Sequence, residues 1–403
     1  MNAIAEQYVK LVLALGQHDA SYVDAYYGPP ESKPAEGSKR PLSEIDAAAG
    51  ALIGQLAAVK PAAANELETL RHRYLTRQLE SMRARVSMLS GAKLTFDEES
   101  QALYDAVAPV HRESEFQATL DDLNTLLPGK GSLIERYDAF RNAFQIPSAR
   151  LGRVFDLAIA ECRSRTLQHA ALPSGESFTV EYVRNKSWSG YNWYQGSYRS
   201  LIQVNVDLPI YIDRAIDLAC HEGYPGHHVY NALLEKKLMR DRGWVEVSVY
   251  ALFSPQSLIA EGTANYGIEV AFSEPQRLAF ERSVLFPAAG LDAARVEEYY
   301  RIQKAVDRLS YAGNEAARRY LNGEIDRSAA AAWLTRFAMM SPKRAEQRTR
   351  FMDDYRSYVI NYNLGKDLVK RYIEARCGTD HARRWKEFIE LLCSPRLPSG
   401  LTE

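Results

Sequence analysis

Residues that could do chemistry concentrate in one stretch, His221-Glu222-Gly223-Tyr224-Pro225-Gly226-His227-His228. The chain has only eight histidines, and this run holds three of them. Neutral imidazole is a common metal ligand, and a carboxylate beside a metal-activated water is a ready general base. His221 followed by Glu222 supplies one of each. On a regular helix, a second imidazole four residues on would share the face of the first. That position is Pro225. His228, seven residues on, faces the same way as His221 but lies about 10 Å further along the axis. Metal–nitrogen bonds of about 2 Å cannot span that gap. His227 is nearer along the axis but points to another side. Pro225 removes a helical hydrogen bond and crowds the His221 carbonyl, and Gly226 tolerates the unusual backbone that follows. A two-residue bulge there would set His227 where the second ligand belongs. His228 is the second candidate, as ligand or as a hydrogen-bond donor toward substrate.

A catalytic zinc site takes three protein ligands and keeps one position open. The third ligand must come from another element. Residues 257–270 read as a helix following Pro255, with Leu258 and Ile259 marking a buried first turn. Glu261 in that setting is costly without a partner, and a cation supplies one. Asn265, one turn later, can orient an imidazole. A metal-free network of His and Glu is the alternative. A closed structural site would instead call for four ligands, usually with cysteine.

The elements that must position these groups are mostly helical. Apolar spacing predicts helices over residues 2–17, 63–90, 132–145 and 148–168, and Thr95-Phe96-Asp97-Glu98 resembles a capping box. Residues 20–42, rich in Gly, Pro and Ser, read as a loop. Strand-like alternation is confined to Phe178–Val183 and Leu201–Val206, on either side of the aromatic segment from Trp188 to Gly196. The expected fold is therefore mainly α, one helical body over residues 1–403, with one small antiparallel sheet beside the metal-binding helix. Two lobes, 1–176 and 177–403, would flank a cleft. Tyr191, Trp193 and Tyr194 would shape that cleft, or else pack the hairpin.

Composition narrows the function classes. Lys+Arg number 50 against 51 Asp+Glu, which removes the usual electrostatic footprint of a nucleic-acid binder. The 46% hydrophobic content suits a self-folding globule. Cys162, Cys220, Cys377 and Cys393 form no CxxC pair, so neither a thiolate metal site nor a disulfide framework is expected. Residues 1–7 lack a basic segment followed by an apolar stretch, and no long apolar run occurs. The expectation is a cytoplasmic protein with no membrane partner and no nucleic-acid partner. The oligomeric state is left open.

His221-Glu222-Gly223-Tyr224-Pro225-Gly226-His227-His228 resembles the signature of the bacterial family called domain of unknown function 885, grouped with the zincin-like metallopeptidases of gluzincin type. Three further segments are similar to it: Tyr22-Val23-Asp24-Ala25-Tyr26-Tyr27-Gly28-Pro29, Glu261-Gly262-Thr263-Ala264 and Tyr362-Asn363-Leu364-Gly365-Lys366. The resemblance implies a zincin-like helical metallopeptidase fold, one Zn²⁺ per chain on His221, His227 and Glu261, and Glu222 as base. It also implies that substrate pairs with a sheet edge at the 201–206 strand. One departure stands out: where many members carry Phe-His-Asp near the carboxyl end, this chain has Trp385-Lys386-Glu387-Phe388. The expected reaction is hydrolysis of a peptide or small amide, with Tyr362 as the group assisting the oxyanion. A zinc hydrolase of a non-peptide amide or ester, and a non-catalytic helical binding protein, are the rivals.

Overall fold

Amphipathic repeats and well-placed caps turn most of the chain into helix, which takes 66% of the residues against 8% for strand. The computed structural model describes residues 1–35, 38–62 and 65–402. The amino-terminal part runs α1 (Asn2–Gly16), β1 (Val23–Tyr26), α2 (Leu42–Ala57), α3 (Glu66–Leu89), α4 (Phe96–Tyr104), α5 (Glu113–Leu126), α6 (Leu133–Asn142) and α7 (Leu151–Leu167). Then come β2 (Ser177–Val183), β3 (Gly190–Gly196), β4 (Arg199–Asn205), α8 (Asp213–Leu218), α9 (His227–Leu234), β5 (Val249–Ala251) and α10 (Pro255–Ala271). The remainder is α11 (Glu274–Phe280), α12 (Phe286–Ala289), α13 (Val296–Asp307), α14 (Ala312–Leu321), α15 (Arg327–Phe337), α16 (Pro342–Tyr355), α17 (Ile360–Cys377) and α18 (His381–Leu392).

Local chemistry sets several boundaries. The Asn65 side chain accepts from the Glu68 N–H to open α3, and Thr95 with Glu98 forms a reciprocal capping box on α4. Of the helix expected over 63–90, residues 63 and 64 lie outside the described residues. The loop expected over 20–42 holds a strand, β1, and its residues 36 and 37 lie outside the described residues. β1 pairs antiparallel with β5 in a second sheet, with a register shift at Asp24.

The larger sheet has the order β2-β4-β3. The antiparallel pairing expected here is the β3–β4 hairpin, which turns at Ser197 and Tyr198, both in left-handed conformation. β2 instead runs parallel to β4, from Ser177 opposite Arg199 to Val183 opposite Asn205. The aromatic segment expected to be a connector is itself the strand β3. β4 is therefore central and has no free edge for a substrate backbone, contrary to the placement the resemblance implied. The free edge beside the metal motif belongs to β3.

The main core joins Ile4 and Tyr8 near the amino end to Phe388 and Leu401 near the carboxyl end. A smaller cluster packs Phe116, Leu123 and Tyr137 against Ile302 and Phe337. Each takes side chains from both sides of residue 176. Among the described residues no helix is long and apolar enough to cross a membrane.

α10 is the post around which the site is built. Only Asn265, Ile268 and Glu269 of this helix escape full burial. It crosses α17 with backbones nearly touching. A Cβ on Gly262 would stand 2.4 Å from the Gly365 carbonyl oxygen, and one on Gly365 would stand 2.8 Å from that of Leu258. Gly262→Ala and Gly365→Ala should each destabilise the fold by about 2 kcal/mol or more, because the obstacle is backbone that cannot swing aside. Gly54→Ala is the control. No atom lies near its Cβ, on α2, so helix propensity should leave it neutral or stabilised by up to about 1 kcal/mol. Equal urea midpoints for all three variants would show that the helices part without cost.

Candidate metal centre

The histidine motif does its work by ending a helix. After α8 the chain widens into a π turn over Ala219–Gly223, which carries His221 and Glu222. Tyr224 is extended, the Tyr224–Pro225 peptide is cis, and α9 starts afresh at His227. Gly226 is held by its N–H donating to the Cys220 carbonyl at 2.9 Å. A Cβ there would lie 1.9 Å from the His221 carbonyl oxygen, so only glycine permits the turn. The bulge expected inside one helix is thus a break between two. It brings His227 Nε2 to 3.2 Å from His221 Nε2.

Glu261 enters from α10. Its Oε2 lies 3.2 Å from His221 Nε2 and 3.7 Å from His227 Nε2. That oxygen is buried and accepts no hydrogen bond among the described residues, while Oε1 accepts from the Tyr358 hydroxyl at 2.8 Å. Asn265 Oδ1 sits 3.2 Å from His221 Nδ1. Asn265 itself donates to the backbone carbonyls of Glu261 and Tyr362. Its Nδ2 donors are thereby occupied, its Oδ1 faces the ring, and His221 presents Nε2 as a lone pair to the cluster. Two imidazole nitrogens and one carboxylate oxygen, all within 4.8 Å of one another, match the donor set of a three-ligand zinc site. The undonated Glu261 oxygen is the atom a cation would satisfy.

His228 lies elsewhere. It is fully buried, with Nδ1 2.9 Å from Ser200 Oγ and Nε2 3.0 Å from Glu176 Oε2. Glu176 also accepts from Tyr224 and Arg163. One residue past His227 on a helix, the His228 side chain turns about 100° away from it. It braces the floor of the break instead of joining the cluster or reaching substrate.

A cleft of about 740 Å³ opens over the cluster. Glu222 lines it, its Oε1 4.0 Å from His221 Nε2, and its side chain takes no hydrogen bond among the described residues. Burial raises this carboxyl above the usual range, against the pull of His221 and His227. Tyr362 also lines the cleft, and its hydroxyl makes no protein hydrogen bond among the described residues. Burial, then the Glu261 charge, hold that phenol well above its ordinary value. Of the three aromatic residues expected at the cleft, only Tyr191 is there. Trp193 is exposed and bonds Gln203, and Tyr194 points into the core to donate to Glu235. Strand alternation and sheet packing decide those two.

Several cleft residues escaped the sequence reading. Tyr358 fixes Glu261. Asp24 receives the Tyr191 hydroxyl, and burial pushes its carboxyl up to about 6 despite that bond. The register shift in β1 re-aims Asp24 into the cleft. Its segment belonged to the family-like stretch Tyr22–Pro29, which was the available signal. Arg344 and Arg348 on α16 stand in no motif.

No family model matches the chain, and no curated protein matches it. Among solved structures, the chain is similar to a candidate lipoprotein from Colwellia psychrerythraea, at 15% identity and a TM-score of 0.53, over 89% of this chain and 69% of that one. A candidate lipoprotein of unknown function from Shewanella oneidensis matches at 12% identity and 0.48, over 89% and 72%. The first of these shares the fold.

Two outcomes follow from the geometry. His227→Ala should lose metal, whereas His228→Ala should keep it and lose about 1–3 kcal/mol of stability, since Glu176 and Ser200 stay buried with a partner missing. Zinc titration with unfolding curves on both variants checks this, and the opposite pattern would relocate the ligand. The second outcome concerns pH. Burial alone would disfavour a charged His227, yet Glu261 outweighs it and lifts the imidazole to about 9. At pH 7 zinc must displace that proton, so affinity should rise about tenfold per pH unit and level off near pH 9. A chelator competition series that is flat from pH 6.5 to 8.5 would contradict it.

Proposed function

We propose that this chain is a zinc-dependent hydrolase, a peptidase cleaving amide bonds, with His221, His227 and Glu261 holding one zinc ion. The carrying observation is the undonated, buried oxygen of Glu261 beside two imidazole nitrogens, with the free carboxylate of Glu222 at the same cleft. The likeness of the motif to the domain of unknown function 885 signature supports the same reading. Bound there, zinc supplies a Lewis acid that activates water and polarises a carbonyl.

The chain's own groups do the rest. Asn265 keeps the His221 ring turned with Nε2 toward the cluster, and Tyr358 keeps Glu261 from rotating. Glu222, adjacent to His221 but rotated off the ligand face, takes a proton from water at its carboxylate and delivers it to the leaving nitrogen. A carboxyl raised by burial holds a proton more firmly than an exposed one, which suits both halves of that transfer. Tyr362 stays protonated and can donate to the carbonyl oxygen as it gains charge. The free edge of β3, at Gly190 to Asn192, borders the same cleft and offers backbone groups to an extended peptide.

Glu222→Gln retains shape and removes the proton acceptor. Zinc content and melting temperature should hold, while turnover on a peptide library should fall by at least about 100-fold. A variant that instead loses stability and keeps turnover would make Glu222 a brace and not a base.

A further inference from the structure

The cations around the cleft fall into two kinds. Arg277 pairs with Asp217 at 2.8 Å, Lys366 pairs with Glu269 at 2.7 Å, and Arg214 lies 3.5 Å from Asp217. Arg344 and Arg348 have no such partner. They stand one turn apart on α16 and line the cleft, and among the described residues neither makes an ion pair or a hydrogen bond. Arg348 rests instead on aromatic faces, 4.6 Å from the Phe351 ring centre and 5.6 Å from that of Tyr362. Both side chains are partly exposed where they meet the cleft, so their donors face its interior and suit a planar anion that enters it. Burial lowers both arginines from their ordinary range, and for Arg344 the neighbouring Arg141 and Arg214 lower it further, to about 10.

Position gives this pair its meaning. The Tyr362 ring that carries Arg348 stands 5.8 Å, centre to centre, from the Tyr358 ring, whose hydroxyl holds Glu261. Two successive side-chain contacts thus link the guanidinium to the residue that holds Glu261, and both ends of that link line the same cleft. Across the cleft mouth, Gln347 of the same helix donates to the Lys186 carbonyl, which sets α16 opposite the loop that leads into β3.

We propose that Arg344 and Arg348 bind a carboxylate of the substrate and thereby direct hydrolysis to bonds close to it. This rests on the peptidase reading for its catalytic half, but the carboxylate site can be tested without turnover. The carboxylate is that of the chain terminus or of an acidic side chain, and the two are separable with defined probes.

The experiment uses zinc-loaded Glu222→Gln protein and calorimetry with three probes: N-acetyl-Gly-Leu as free acid, the same compound as its amide, and N-acetyl-Gly-Glu as its α-amide. The free acid should bind about 10- to 100-fold more tightly than its amide, the range of a charge-assisted pair. Arg344→Gln and Arg348→Gln should each shrink that ratio, the double variant should bring it to about one, and Arg348→Lys should restore part of it. Melting temperatures of these variants should hold or rise, because a lone charge has been removed. A Glu α-amide probe that binds like the Leu amide assigns the site to the chain terminus, and one that binds like the free acid assigns it to acidic side chains. Equal binding of acid and amide, absence of binding by all three probes, or an acid preference that survives in the double variant would overturn the proposal. Wild-type protein is then offered free-acid and amidated peptide mixtures. If neither is cut while the acid preference holds, the peptidase reading fails and the carboxylate site stands. If both are cut alike and no acid preference exists, the reverse is true.

Discussion

One oxygen of Glu261 is the constraint on which the site depends. It is buried, lacks a donor, and faces two imidazole nitrogens at 3.2 and 3.7 Å. A buried carboxylate survives only with compensation. Glu176, the other carboxylate of the motif's surroundings, shows what full compensation looks like, with Tyr224, His228 and Arg163 converging on it. Glu261 has its second oxygen satisfied by Tyr358 and its first left to the cluster. The two histidines hold its carboxyl well below the usual range although burial opposes this. The contrast between a completed and an incompleted carboxylate, separated by the single residue step from His227 to His228, distinguishes the structural half of the motif from the half open to a ligand.

The surrounding architecture serves to keep that incomplete set from collapsing. α10 is buried except at Asn265, Ile268 and Glu269, which meet the cleft together with the buried Glu261. Tyr358, in the short 3-10 turn that leads into α17, and Tyr362, in the first turn of α17, lie four residues apart, so one phenol is spent on positioning and the next is left free. The small sheet contributes little area, but Asn192 of β3 donates to the Glu222 carbonyl and ties the strand to the π turn. β1 and β5 carry Asp24 to the opposite wall. Charge is thus laid out unevenly: carboxylates reach the cleft from several elements, Asp24, Asp217, Glu222, Glu261 and Glu269 among them, while the two guanidinium groups without a carboxylate partner among the described residues both sit on α16.

Much of this was legible in the sequence because it was local. Helix periodicity, the Thr95–Glu98 box and the Pro-Gly interruption are properties of short windows, and the structure carries each of them. Glu261 could be singled out because a carboxylate in an apolar helix is conspicuous. What escaped was non-local. A parallel pairing of β2 with β4 leaves no mark in either strand's own alternation. Cleft lining and hairpin packing stayed open for Tyr191, Trp193 and Tyr194 because aromatic content is the same for both, and the fold brings Tyr191 alone of the three to the cleft. Tyr358 stands in no motif and gains its meaning from α10 beside it, and Arg344 and Arg348 come to the cleft through the placement of α16.

The contact between Gly262 and Gly365 joins two segments that are far apart along the chain, Glu261–Ala264 and Tyr362–Lys366. Their glycines do not act separately; each is small because the other's backbone is there. The space is shared, so the two positions carry one piece of information between them. In a set of related chains they should therefore change together or stay fixed together. A drift at one would shift Glu261 relative to Tyr358 and Tyr362 without altering any of those three side chains. Two short words that look like independent signatures in the sequence are, in space, the two halves of a single hinge pin.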